Sequence, residues 1–266
     1  GGSSTHGGAL IKSPASSGKV NIYGAELIGP SSFKIRGGTI DMENDTAELT
    51  IVDSVINGGH SSGLGGNIYI GNAKTTLTNS RIINGSSTTT GGNIYVGDAT
   101  VNINNCDING GTSGGNGGNI AIGGAATVTI NNSTIYGGNS TNTEKGGGGG
   151  NFRFGTGNTT VTGCTIADGT SSYYGGNISA VGGTVTINDS TITGGTSGSS
   201  GASIHIDGGT VNLNRNTISH SSANKAIVYN NGTNTTIDGG SITSNVLTVY
   251  NPANKTITIE NADIIS

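Results

Sequence analysis

The chain has 266 residues, with 11 Lys and Arg against 15 Asp and Glu and a net charge of −4. That balance argues against a nucleic-acid stripe or a basic membrane-binding face. With 51 Gly, no Trp and 31% hydrophobic residues, it falls below the roughly 45–50% apolar content of ordinary globular domains. Such a composition fits a disordered chain, but the strict spacing of Ile and Val described below excludes one. There is no apolar run long enough for a spanning helix. No secretory leader stands at Gly1, as expected of a mature form or an excised segment.

Residues 1–18 carry no repeat and are expected to form an N-terminal cap or irregular segment, with a parallel β-helix over 19–266. Apolar pairs at 20–22 and 33–35 read as irregular early coils, and regular coils are expected from about residue 45. From there one tetrapeptide recurs: Gly65-Gly66-Asn67-Ile68, Gly91-Gly92-Asn93-Ile94, Gly117-Gly118-Asn119-Ile120, Gly149-Gly150-Asn151-Phe152 and Gly175-Gly176-Asn177-Ile178. A weaker copy is Gly201-Ala202-Ser203-Ile204. The period is 26 residues except between Asn119 and Asn151, where it is 32. A fixed period in this range marks a stacked-repeat protein, in which each unit packs on its neighbours. Past Ser203 the coils shorten, and apolar groups around 227–229 and 247–249 replace the tetrapeptide. The sequence ends just after a strand, as expected of a truncated form, a following domain or end-to-end stacking.

A second pattern lies inside each repeat: apolar, any residue, Asn/Asp/Gly, a small residue, any residue, apolar. Ile103-Asn104-Asn105-Cys106-Asp107-Ile108 and Ile187-Asn188-Asp189-Ser190-Thr191-Ile192 are examples. Apolar and polar residues alternate upstream of it, the signature of a strand with one buried face. The third position suits a left-handed backbone at a sharp bend. Each coil is therefore expected to hold three short strands, exemplified by 93–96, 100–103 and 107–109, with a Gly/Ser/Thr return loop such as 110–116. Stacking gives an all-β solenoid of three parallel sheets and about nine coils, mostly 22–26 residues each. High Gly and the Thr/Val/Ile pattern oppose a helical bundle. Ile68, Ile94, Ile120, Phe152, Ile178 and Ile204 should form an interior column at roughly 4.8 Å spacing. Asn67, Asn93, Asn119, Asn151 and Asn177 should form a structural amide ladder that satisfies polar groups in a thin core. Cys106 and Cys164 share the bend position two coils apart, roughly 9.6 Å at the strand spacing. A disulfide spans Cα separations up to only about 7 Å, so both are expected free and buried.

On these residues the chain resembles the right-handed parallel β-helix family. Its bends resemble the short turn between second and third strands of pectate-lyase-type helices. The Gly-Gly-Asn-Ile array is similar to the Gly-Gly-Ala-Ile repeats of polymorphic outer-membrane and autotransporter passenger adhesins, with Asn in place of Ala. The resemblance covers residues from about 45 to 266. It implies a solenoid fold and a surface-display role, although one scaffold hosts many activities.

Polysaccharide lyases and hydrolases of this fold class carry acidic clusters on the first-strand face. Here the outward column of that face reads Tyr69, Tyr95, Ala121, Arg153, Ser179 and His205. The longer coil places Glu144 and Lys145 just before Arg153, and the next return loop adds Asp168, Tyr173 and Tyr174. Loops on rigid scaffolds concentrate function. These residues could form a shallow ligand groove with aromatic platforms, or a plain solvated salt cluster of little energetic weight. Catalysis would require two carboxylates facing one bond, or a carboxylate cage for calcium. No coil supplies either within its strands, since Asp98 and Asp207 are four coils apart. His6, His60, His205 and His220 are scattered, so no metal or cofactor is expected, and Gly146 to Gly150 precedes no phosphate-loop Lys. A different face shows Thr76/Thr78, Thr127/Thr129 and Thr184/Thr186, a Thr/Asn lattice similar to those of β-solenoid ice-binding proteins. Lys34, Lys74 and several Asn interrupt it, and Thr is favoured in exposed strands anyway.

The leading expectation is an extracellular or cell-surface rod, an adhesin or structural scaffold without catalytic activity. It would present loops to a host or cell-surface protein or glycan, or stack end to end with its own copies. Nucleic-acid binding and membrane insertion of this segment are not expected. Three alternatives stay open: an ice-binding protein, a self-assembling filament subunit, and a polysaccharide lyase or hydrolase.

Overall fold

The computed structural model describes residues 9–13, 17–30, 34–144, 147–223 and 225–266. These form a parallel β-solenoid of about nine coils with no helix among them. Three sheets build it, two running from the first coils to the last and the third from Lys34–Arg36 to Thr196–Ser197. Sheet A stacks ten short strands, among them Ile68–Ile70, Ile94–Val96, Ile120–Ile122, Phe152–Phe154, Ile178–Ala180 and Ile204–Ile206. Every rung pairs in parallel with the next, so Ile94 stands level with both Ile68 and Ile120. The apolar period thus becomes a continuous core column, and the six predicted interior residues are all essentially inaccessible.

The strands are distributed over the sheets differently from the expectation. Second and third strands, such as Thr100–Asn104 and Asp107–Asn109, belong to one bent 18-stranded sheet, sheet B. In the later coils they fuse across the bend into single strands, Thr210–His220 and Asn234–Ser244. Sheet C is built from what read as return loops: its seven strands include Ser86–Ser87, Thr112–Ser113, Asn139–Ser140 and Thr170–Ser171. Two-residue strands are too short to display alternation. Ile11–Lys12 lies in the segment read as a cap and pairs with Ile40 and Asp41 as a rung of sheet A. Phe33 lies outside the described residues.

The bends follow the predicted chemistry. Asp53, Asn79, Asn105, Asn132 and Asp189 all adopt φ between 49° and 52°, the left-handed region where Asn and Asp are tolerated. Arg215 holds the same conformation at φ 54° and is tied by two 2.7 Å bonds to Asp189 one rung away. The small residue after each bend forms a ladder of its own. The Cys106 amide donates to Ser133 Oγ at 3.0 Å, the Ser133 amide to Cys164 Sγ at 3.4 Å, and the Cys164 amide to Ser190 Oγ at 3.1 Å. Both cysteines are free and buried, and burial pushes both thiols up.

The asparagine ladder is continuous. Asn67, Asn93, Asn119 and Asn151 each donate through Nδ2 to the next Oδ1 at 2.7–2.8 Å, and Asn177 donates to Ser203 Oγ at 2.9 Å. Each amide also braces the backbone of two neighbouring coils. Asn93 Oδ1 accepts from the Gly85 amide at 2.7 Å, and its Nδ2 donates to Asn109 O at 2.8 Å. The side chain therefore fills both carboxamide functions inside the buried core.

The 32-residue coil keeps all three registers. Asn116 aligns with Gly148 and Thr100 with Thr127. Relative to its neighbour, this coil has one additional residue in the turn after sheet A, at 123–126, and five in the corner between sheets C and A, at 141–147. The insertion is thus divided, where the sequence suggested a single one at 139–148.

Candidate functional site

The outer face of sheet A carries most of the residues singled out from sequence. Asp41, Tyr69, Tyr95, Ala121, Arg153, Ser179, His205, Tyr229 and Tyr250 stand level on consecutive rungs. The rings stack along the solenoid axis. Tyr69 and Tyr95 are parallel at 5.6 Å, His205 and Tyr229 lie at 5.1 Å, and Tyr229 and Tyr250 at 5.0 Å. Arg36 caps the first ring, its guanidinium 4.8 Å from the Tyr69 centroid. The ring faces are therefore turned to each other, and edges and hydroxyls line the surface instead of open platforms.

Three members expected to point outward are buried: Ala121, Ser179 and His205. Tyr174 explains two of them. It leaves the C–A corner and lies parallel to His205 at 3.8 Å, in the space above the small Ser179. A return-loop tyrosine thereby completes the aromatic column at a rung whose own residue is too small. Tyr173 packs edge-on against it at 4.3 Å. Burial, followed by the Tyr173 hydroxyl and Asp207, pushes the Tyr174 hydroxyl up to about 12. Burial also raises the Tyr69 and Tyr95 hydroxyls.

His205 sits between two rings, and burial lowers its pKa from 6.5 to about 4 against the opposing pull of Asp207. The folded chain thus keeps a neutral imidazole where the unfolded chain takes up a proton. Stability is retained above pH 6.5 and falls as pH drops toward 4, by about 3 kcal/mol across that window. Replacing His205 by Phe preserves the stack and removes the titration. The difference in urea midpoint between pH 7 and pH 4 should therefore shrink in His205→Phe relative to the parent chain. An unchanged difference would assign the acid sensitivity to other groups.

Arg153 is half-buried and its Nε has no hydrogen-bond partner. Burial lowers its pKa, and Tyr95 provides the electrostatic counterweight. No carboxylate among the described residues lies within ion-pair distance of it. Glu144, expected beside it, is exposed on the corner insertion, where its amide bonds to Asn142 Oδ1 at 2.8 Å. Lys145 lies outside the described residues.

Asp168 belongs elsewhere. It lies on the turn between sheets B and C and lines a groove of about 850 Å³ with Thr170, Thr193, Thr196, Ser219 and His220. His220 Nε2 bonds to Gly195 O at 2.7 Å and Nδ1 accepts from the Ser222 amide at 3.2 Å. The expected single patch is therefore divided between two corners. Asp98 and Asp207 brace turns: Asp98 Oδ1 accepts from the Ala125 amide at 2.7 Å and Asp207 Oδ1 from Asn231 Nδ2 at 2.8 Å.

On sheet B the Thr/Asn lattice has a different register from the one expected. Thr76 is level with Asn102, Thr129, Thr160 and Thr186, whereas Thr127 and Thr184 lie in the column of Lys74 and Thr100. Thr78 continues into Asn104 and Asn131. Each of these strands begins at the same distance from its bend, so residues align by that distance and not by their order as the first Thr of the strand. Lys34 is not on this face at all but in sheet C, in the strand Lys34–Arg36.

Among the described residues, no group of three or more His, Cys, Asp and Glu could hold a metal ion. Among the described residues no helix is long and apolar enough to cross a membrane, which leaves strand-built barrels unaddressed. The fold defines the chain as a parallel β-solenoid repeat protein with an internal asparagine ladder. No family model, characterised protein or solved structure matches it.

Sequence reasoning missed Arg36, Glu43 and Asp41. Arg36 forms two 2.5 Å bonds to Glu43 and lies 4.0 Å from the buried Asp41. It also missed Tyr229 and Tyr250 as part of the stack. Their offsets from His205 follow the shortened late coils, and reading those coils in register would have found them.

Proposed function

We propose that this chain is a non-catalytic binding rod of the extracellular or cell-surface kind, which presents the outer face of sheet A and its neighbouring corner to a protein or glycan. One observation carries this reading: tyrosine, arginine and histidine side chains occupy one axial column from Tyr69 to Tyr250 on a hydrogen-bonded ladder of strands. A rigid ladder fixes the spacing of weak contacts, and many of them engaged together bind with an avidity that none has alone. The corner beside this column is also where the longest coil places most of its additional residues. Adhesin-like display, as the passenger-type repeats imply, is the form this function takes.

The test uses the labelled 266-residue chain against immobilised neutral glycans, acidic glycans and purified matrix proteins. At least one class should bind saturably, and the double variant Tyr95→Ala/Tyr229→Ala should weaken that binding tenfold or more. Thr129→Lys on sheet B should leave it intact. Release of sugar products from a polysaccharide panel, or equal binding by the double variant, would overturn the reading in favour of an enzyme or an inert scaffold.

A second reading draws on sheet B. Its central outward column runs over ten rungs from Asn21 to Thr258 with only Thr and Asn. This supports ice binding. Neighbouring lattice amides also bond each other, as Asn131 does to Asn104 at 3.0 Å and Asn214 to Asn188 at 2.9 Å, which removes groups that would order water. Thermal hysteresis in the parent chain, abolished by Thr129→Lys, would establish this reading over the first.

A further inference from the structure

The four arginines of this chain fall into two groups. Arg81 holds Asp107 one rung away at 3.3 Å, Arg215 holds Asp189 one rung away at 2.7 Å, and Arg36 holds Glu43 at 2.5 Å. Arg153 holds no carboxylate among the described residues, although it is the one with its Nε enclosed. On the rungs where a counter-ion would stand, it has Ala121 on one side and Ser179 on the other. A partly desolvated guanidinium without an anion is costly, and a carboxylate gives it a paired, charge-assisted geometry.

The neighbours of Arg153 extend this polar shortfall. Ser179 Oγ and His205 Nδ1, on the next two rungs, are also buried without a hydrogen-bond partner. Both residues are at most 1% exposed. Unpartnered buried polar atoms are uncommon and call for an explanation. Three of them on consecutive rungs, one belonging to the cation that lacks its acid, coincide with the column already described.

We propose that Arg153 is the anchor of a site for a carboxylate-bearing, hydroxylated ligand, of the sugar-acid class. This rests on the binding-rod reading and names the ligand chemistry of the same face. A single guanidinium among the described residues of the site matches one carboxylate in a planar, two-bond arrangement. The partly exposed Tyr95 on one side and Tyr174 on the other offer neutral hydroxyls suited to the hydroxyls of such a ligand, with Ser179 and His205 enclosed behind them. The paired rings of Tyr174 and His205 wall the site at 3.8 Å spacing.

The experiment is calorimetric titration of the 266-residue chain with glucuronate, galacturonate and N-acetylneuraminate, with glucose and glucuronic acid methyl ester as uncharged counterparts. At least one acid should bind saturably while both uncharged sugars fail. Arg153→Gln, which keeps most of the side-chain bulk, should lose at least tenfold in affinity. Arg81→Gln, which removes an arginine already paired with Asp107, should bind as the parent does. Circular dichroism of both variants checks the fold, and Arg153→Lys, retaining charge without the planar fork, should recover part of the affinity if folding is perturbed in Arg153→Gln. Equal losses in Arg153→Gln and Arg81→Gln, equal binding of acid and methyl ester, or no binding of any acid would overturn the proposal. Saturable binding of neutral glycans or matrix proteins that ignores Arg153 would overturn it too, while leaving the binding-rod reading in place.

Discussion

Replacing Asn119 by Ala should cost about 3–5 kcal/mol of stability, the upper range for a single substitution. The side chain makes four bonds within the core. Its Oδ1 accepts from the Gly111 amide at 2.9 Å and from Asn93 Nδ2 at 2.8 Å. Its Nδ2 donates to Tyr136 O at 2.8 Å and to Asn151 Oδ1 at 2.7 Å. Truncation strands donors and acceptors on three coils at once, in a position with no solvent access. The large cost lies in those unpaired partners more than in the lost bonds themselves. The chain supplies its own milder comparison, since Ser203 takes the ladder position and still accepts from Asn177. Asn119→Ser should therefore lose less than Asn119→Ala. Urea unfolding at pH 7 measures both, and a loss below about 1 kcal/mol in Asn119→Ala would mean that the ladder is decorative.

Gly92→Ala should be at least as damaging, for a reason of space. A Cβ at this position would lie 2.0 Å from Gly118 O and 2.3 Å from the Thr112 amide nitrogen, both backbone atoms of the same stack. Neither can yield without breaking a rung: Gly92 N donates to Gly117 O at 3.1 Å and Thr112 N to Gly85 O at 2.9 Å. Overpacking usually costs about 1–3 kcal/mol; here we expect the top of that range or more, with loss of cooperative unfolding around the second and third tetrapeptides. Thermal unfolding followed by circular dichroism checks it. A midpoint within a degree or two of the parent would show that adjacent coils can separate locally. The glycine pair thus divides its labour. Gly91 supplies a left-handed turn at φ 71°, and Gly92 supplies the absence of a side chain where sheet C of the next coil passes.

These two sites show why the interior was legible. A period of 26 residues puts chemically identical residues on neighbouring rungs, so a column read down the sequence is a column in space. Ile94, Asn93 and the left-handed Asn105 are all recoverable that way. The outer face follows a different rule. Tyr174 reaches Ser179's place from a corner, and nothing in the linear order of Tyr173-Tyr174-Gly175 announces that the ring fills a neighbouring column. Sheet C escaped because Thr112–Ser113 is too brief to alternate. The isolation of Arg153 was readable in principle. Arg81 and Asp107 are 26 residues apart, as are Asp189 and Arg215. Applying that same offset, and 32 for the long coil, leads from Arg153 only to Ser179 and Ala121. Asp168 failed for a simpler reason: proximity in sequence to Tyr173 does not carry it around a corner.

The divided insertion has a practical corollary. Five residues were accommodated at 141–147 while strands on either side kept their partners, Ser113 with Ser140 and Ala121 with Arg153. In such a molecule length is counted in turns of the winding, and surplus sequence is taken up at corners while the rungs stay aligned. Foreign peptides spliced into 141–147 should hang from the shaft at a fixed height and bearing, which makes that corner a natural mounting point for epitopes or tags.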